Sequence, residues 1–304
     1  MNPLSRKDLI LLILLTLFWG INWPIMKLGV QQFPPLTFRA LCMLGGLPLL
    51  WAAARWQGLP LGISREQVLP VLRLATPNML VWHLCVIIGV KMLSSGRAAI
   101  LGFTMPVWAV LFGLLLYGER LSRLAWFGIA CALAGALLLL SSEIGAISGQ
   151  PLGSVLVLVA AMGWGYGTVM LKRSTLNMPT LTLTFWMMAL TTVIMLLAAA
   201  LFESQAWRMP NRPEWAAIVY NAAMVFGFAH VVWFDLARKL PPIASSLSVM
   251  MIPVVGVFSG AWMLGEVPHW QDYAAMLLIL VAMCAVLLKP SAAGTGMAVQ
   301  DKQA

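Results

Sequence analysis

Few side chains in this sequence are equipped for bond-making chemistry, and none is arranged for it. The three histidines, His83, His230 and His269, stand far apart, without the paired spacing a zinc protease needs. No Gly-x-Ser-x-Gly elbow and no phosphate-binding loop occurs, which argues against a serine hydrolase and against ATP hydrolysis. The four cysteines, Cys42, Cys85, Cys131 and Cys284, fall in apolar runs with no metal-ligand spacing. They read as small packing residues without a disulfide, and neither a metal nor a cofactor is expected. An intramembrane enzyme is therefore only a distant alternative.

The spacing does offer recognition chemistry. Trp19, Asn22, Trp23 and Met26 recur at i, i+3, i+4 and i+7, one face of a helix. Asn78 and Trp82 share a face beside His83, and Phe226, His230 and Trp233 share another. Trp164 sits among glycines in Gly163–Thr168, and Phe103, Trp108, Ser246 and Met250 complete the set. Rings and thioethers with a few polar groups make a pliable apolar wall that accepts flat molecules. Each feature has a plainer reading. An asparagine or histidine in an apolar helix can bond a neighbouring helix, glycines can serve tight packing, and a tryptophan can face lipid. Pro24, Pro106, Gly165 and Pro253 are candidate hinges, because proline removes a backbone donor and glycine loosens a helix.

These residues need elements to hold them, and the composition says which. Of 304 residues, 61% are apolar and only 10% charged, against about 25% charged in a soluble domain. The charges gather in clusters separated by ten long uncharged stretches, among them Leu9–Met26, Ala98–Gly118 and Leu240–Gly265. A membrane helix needs about 20 apolar residues. The two short stretches, Ala40–Ala54 and Tyr273–Leu288, are extended by Pro35 to Arg39 and by Trp270. No alternating ten-residue segments suggest a barrel, so the chain reads as an all-α integral membrane protein of ten transmembrane helices.

The net charge of +9 follows membrane topology and needs no nucleic acid as partner. With loops numbered alternately, Lys27, Arg39, Lys91, Arg97, Arg208 and Arg212 fall on one side and the other thirteen of the nineteen basic residues on the other. Both termini are then expected in the cytoplasm, in a multi-pass protein of the cell's inner membrane. All ten carboxylates sit near helix ends. No midplane acid is available for a proton relay or sodium site, which suggests facilitated passage or weak coupling through histidine. Arg39 and Lys27 are read as lying close to one membrane face.

The chain also repeats itself. A shift of 147 residues carries His83 onto His230, Pro106 onto Pro253, and Gly118-Glu119 onto Gly265-Glu266. A shift of 145 carries Trp19-Gly20 onto Trp164-Gly165 and Pro34 onto Pro179. The expected halves are 1–147 and 148–290, with a flexible tail at 291–304. Five helices per half is an odd number, so the second half enters the membrane inverted. Inverted repeats recur in secondary transporters, with the substrate near mid-membrane between the halves. Glu119 and Glu266 are expected to start the next helix, near Ser122 and Asp272 as caps.

The segments Phe18–Pro24, Pro106 through Glu119, Trp164-Gly165 and Pro253 through Glu266, in a ten-helix repeat, resemble the EamA family of the drug/metabolite transporter superfamily. The resemblance covers residues from about 8 to 289. It implies a central cavity lined by helices 1, 3, 4, 6, 8 and 9, with helices 5 and 10 peripheral, and export without ATP. It further implies a small-molecule substrate, with aromatic amino acids first and other amphiphilic metabolites or drugs as the alternative. No oligomeric state follows from it.

Overall fold

Prolines and capping side chains set where the helices begin. In the computed structural model, which describes residues 6–146, 149–233 and 242–287, the last without the side chains of 242–248, ten helices succeed one another. They are α1 (Arg6–Val30), α2 (Pro35–Trp56), α3 (Arg65–Met92), α4 (Ser95–Tyr117), α5 (Arg123–Gly145), α6 (Pro151–Lys172), α7 (Thr180–Phe202), α8 (Arg212–Trp233), α9 (Pro242–Leu264) and α10 (Trp270–Leu287). The side chain of Ser246, Arg238, Lys239, Asp235 and the 291–304 tail lie outside the described residues.

Proline opens α2 and α6, where its missing N–H costs nothing. Ser94 and Ser122 accept from the backbone N–H groups of Arg97 and Ala125, and Asn211 and Glu214 form a reciprocal capping box. The apolar run in α3 begins at Leu74, but the helix begins nine residues earlier at Arg65. A polar first turn carrying Arg65 and Glu66 projects beyond the apolar layer, so hydropathy alone cannot see it.

Helix–helix neighbours obey a pseudo-twofold relation. Helix α5 lies along α10, and α2 along α7, each against its own repeat mate. Helix α1 packs on α9 as α6 packs on α4; α3 meets α6 as α8 meets α1; α2 meets α8 as α7 meets α3. Exchanging the halves maps each pair onto the other, as expected of an inverted repeat.

The Trp-Gly signature acquires a physical meaning here. A Cβ on Gly20 would lie 2.4 Å from Val255 Cβ and 3.2 Å from the Ile252 carbonyl oxygen on α9. On the mate, Gly165, it would lie 2.7 Å from Trp108 Cβ and 2.9 Å from the Met105 carbonyl oxygen on α4. Both glycines let two backbones touch, as small residues do in membranes. The adjoining Trp19 and Trp164 are thereby held one residue from a fixed contact.

The second signature ends a helix. Gly118 and Gly265 close α4 and α9 at φ values of 65° and 66°, left-handed conformations that favour glycine. The next N–H returns to the carbonyl of Gly113 in one half and of Gly260 in the other, at 3.3 and 3.4 Å. Glu119 and Glu266 therefore sit in the turn and do not start the next helix. Ser122 caps α5 as expected, whereas Asp272 lies inside the first turn of α10 and accepts from the His269 N–H at 2.7 Å.

Of the four candidate hinges, only Pro106 coincides with an interruption. Helix α4 stops at Gly102 and resumes at Met105, with Pro106 in the first turn of the second segment. Pro24 and Pro253 lie inside continuous helices, as does Gly165. The other irregular stretches are wide π turns at Thr76–Val81 in α3 and Asn221–Ala229 in α8, which residue patterning does not reveal. They precede Trp82-His83 and His230. A residue inserted in a helix rotates the side chains beyond it, and such turns gather at functional sites.

Candidate functional site

Between the halves, aromatic side chains meet in two mirror groups. On one flank Trp19 of α1 meets His230 of α8 edge-on, centroids 5.9 Å apart, and Trp233 at 5.8 Å. On the other, its mate Trp164 of α6 meets Trp82 of α3 at 5.1 Å. These five rings are all partly exposed. Trp23 is buried, 6.3 Å from Phe103. Gly102 leaves room for the edges of Trp23 and Trp82 together, since a Cβ there would come within 2.8 and 3.5 Å of their rings. Met250 is buried on α9.

The remaining candidates go to two fates. Asn78 is consumed by packing: it donates to the Leu74 carbonyl at 2.9 Å and fills the space over Gly167. Asn22 and His83 are buried with unpartnered polar atoms, Oδ1 of the one and both ring nitrogens of the other. Phe226 is buried, with the His83 ring edge-on at 5.4 Å and the His230 ring stacked at 5.6 Å. His230 Nδ1 lies 2.7 Å from the Val225 carbonyl oxygen within its own wide turn. Of the fourteen tryptophans, Trp51, Trp56, Trp126, Trp207, Trp215, Trp262 and Trp270 are exposed on the outside of the bundle.

Arg39, one turn into α2, is turned into the protein interior. The residue is only 2% exposed. Its Nη2 meets the Met26 sulfur, its Cζ lies 5.9 Å from the Phe226 ring centroid, and its Nε has no partner. A long stem carries the charge away from its Cα, which residue position along a helix does not reveal. The signal available in sequence is a lone cation inside an otherwise apolar stretch of α2.

Among the described residues, polar ties between halves are concentrated at one face. Glu266 of the second half accepts from the Ser95 N–H at 2.7 Å, the Ser95 hydroxyl at 2.8 Å and the Gly96 N–H at 3.3 Å. Glu203 likewise accepts from the Leu36 and Thr37 N–H groups at 2.9 and 2.7 Å. Two second-half carboxylates thus cap the N-termini of two first-half helices, where backbone donors and the helix dipole favour negative charge. Arg97 pairs with Asp272 at 2.6 Å and with Glu143, and Lys27 donates to the carbonyls of Lys91 and Leu93. A cavity of about 660 Å³ opens beside these groups. Its charged lining is already paired, so it belongs to this closure. Nearby, the hydrogen bonds that Arg208 donates to the Glu214 carboxylate hold its guanidinium above its ordinary pKa.

The opposite face is tied more sparsely among the described residues. There Thr182 donates to the Pro60 carbonyl and Trp186 to that of Leu61, each at 2.9 Å. Glu119, the mate of Glu266, reaches Arg173 at 3.1 Å with both side chains about half exposed.

Comparison with known proteins agrees with this architecture. Residues 6–141 and 151–288 each match the model of the EamA-like transporter family. An uncharacterized inner membrane transporter of Escherichia coli (strain K12), YedA, is 28% identical over 282 residues, covering 90% of this chain and 88% of that protein. A probable amino-acid metabolite efflux pump of Salmonella typhimurium is 25% identical, covering 92% and 94%. A crystal structure at 24% identity superposes with a TM-score of 0.64 over 93% of this chain and 98% of that one, a likeness of fold.

Proposed function

From the premise that this chain belongs to the EamA-like transporter family, we propose that it exports small metabolites across the cell's inner membrane, amino acids including aromatic ones foremost. A multi-pass membrane transporter is what membership and nine membrane-length apolar helices among the described residues make it. The name of the Salmonella relative supports efflux of amino-acid metabolites.

The observation that carries the reading is the meeting of partly exposed rings from opposite halves, Trp19 with His230 and Trp82 with Trp164. Edge-to-face rings present apolar faces and polar edges at once, suited to a flat side chain bearing a polar end. Transport proceeds by alternating access without ATP. The halves rock about this centre, and the cargo shifts the two states only by its differential affinity for them. Unequal ties among the described residues support this, since one face is fastened by Glu266, Glu203 and Arg97 while Glu119, the mate of Glu266, is about half exposed. We assign the chain no catalysed reaction.

The test is counterflow of labelled amino acids into proteoliposomes, without ATP and at equal pH on both sides. Saturable uptake of an aromatic amino acid is expected. Trp164→Ala should lower its rate about tenfold or more, as losing a ring contact of about 1.5 kcal/mol implies, at unchanged protein yield. Normal flux in that variant would remove Trp164 from the site. Both termini lie in the cytoplasm in this reading. An impermeant reagent should reach engineered cysteines at the two ends only after the inner face is opened; labelling in intact cells would reverse the orientation.

A further inference from the structure

The interior site holds one full positive charge with no carboxylate beside it. Arg39 is 2% exposed, and no acidic side chain lies within ion-pair distance of it among the described residues. The neighbours it does have are weak. A thioether is a poor acceptor, and the Phe226 ring compensates a cation only in part. Its Nε donor is unpartnered, and so are both nitrogens of His83, whose ring also packs against Phe226. A buried charge normally has a counter-ion, because taking it out of water is expensive.

We propose that Arg39 is the residue that recognises the cargo, and that it does so by pairing with a carboxylate. The inference rests on the interior site proposed above and names the chemistry that site selects. Guanidinium presents a planar fork of donors that matches a carboxylate. A single fixed charge suits a monoanion better than a phosphate dianion. Beyond the guanidinium, Phe226 stacks on His230 at 5.6 Å and His230 meets Trp19 at 5.9 Å. A carboxylate paired with Arg39 would bring a flat apolar body attached to it against these rings. An amine without a carboxylate finds nothing there to pair with the guanidinium and a like charge to oppose it.

The experiment compares labelled L-phenylalanine with labelled phenethylamine, which keeps the ring and amine but lacks the carboxylate. Counterflow in proteoliposomes is measured for the full-length protein, for Arg39→Gln and for Arg39→Lys, along with the melting temperature of each without cargo. L-Phenylalanine should be carried and phenethylamine not. Arg39→Gln should raise the half-saturating concentration of L-phenylalanine about 10- to 100-fold, the loss of one charge-assisted pairing. Its melting temperature should not fall, because the change removes an unpaired buried charge. Arg39→Lys should lie between the two. Equal handling of L-phenylalanine by Arg39→Gln would overturn the pairing and leave the transport reading standing. So would phenethylamine carried as well as L-phenylalanine. Loss of flux with a lowered melting temperature in both variants would make Arg39 a structural residue instead. Failure of the unaltered protein to carry either compound would overturn this inference and the amino-acid reading together.

Discussion

Arg97→Leu is expected to destabilise the protein by about 3–5 kcal/mol, the usual penalty for breaking a buried ion pair from one side. The Arg97 side chain is 13% exposed, and its partners Glu143 and Asp272 are 10% and 6% exposed. Leucine would leave both carboxylates inside the bundle without their cation. Each keeps one backbone donor, Gln150 N–H on Glu143 and His269 N–H on Asp272, which relieves part of the penalty. The measurement is equilibrium unfolding in mixed micelles. The double replacement Arg97→Leu with Asp272→Leu should recover part of the loss, because it removes an uncompensated charge along with its partner. A single variant as stable as the parent would show that the three-residue cluster contributes nothing.

Glu266→Gln is expected to loosen the face that Glu266 now fastens. The carboxylate accepts three hydrogen bonds from the first turn of α4, and the neutral amide can keep only part of them. Losing a charge-assisted bond amounts to about 1.5 kcal/mol or more, roughly a tenfold change in a two-state population. Val257, 2% exposed, packs against Gly96 just beneath this contact. With the four native cysteines replaced, Val257→Cys should react with an impermeant maleimide about tenfold faster when Glu266→Gln is added. The pseudo-twofold relation makes Glu119→Gln the control, since it acts at the other face and should not accelerate labelling at Val257. Equal rates in all three proteins would mean that Glu266 merely terminates a helix.

Much of the architecture is legible in the residues alone. Charge clusters mark the helix ends because charges avoid the hydrocarbon layer, and that alone gives ten spans. The two signatures carry their register as well. Glycine at 118 and 265 has a local reason, a left-handed turn, and glycine at 20 and 165 has a contact reason that recurs by symmetry. Which face of each helix turns inward is not legible. In water, polarity separates core from surface, but here lipid and core are both apolar, so Trp262 at 85% exposure and Trp23 at 4% look alike in sequence. The wide turns at Thr76–Val81 and Asn221–Ala229 escape notice because Asn78, Gly227 and their neighbours suit an ordinary helix equally well.

Helix count, inverted repeat and family are all readable from the order of residues, because each rests on composition or on residues whose backbone demands are local. Tertiary structure alone decided who meets whom: Glu266 on Ser95, Trp19 against His230, and the Arg39 charge brought to Phe226. Those partners are separated by 171, 211 and 187 positions in the numbering. Their encounters arise from how the two halves dock, and no periodicity within one helix encodes that.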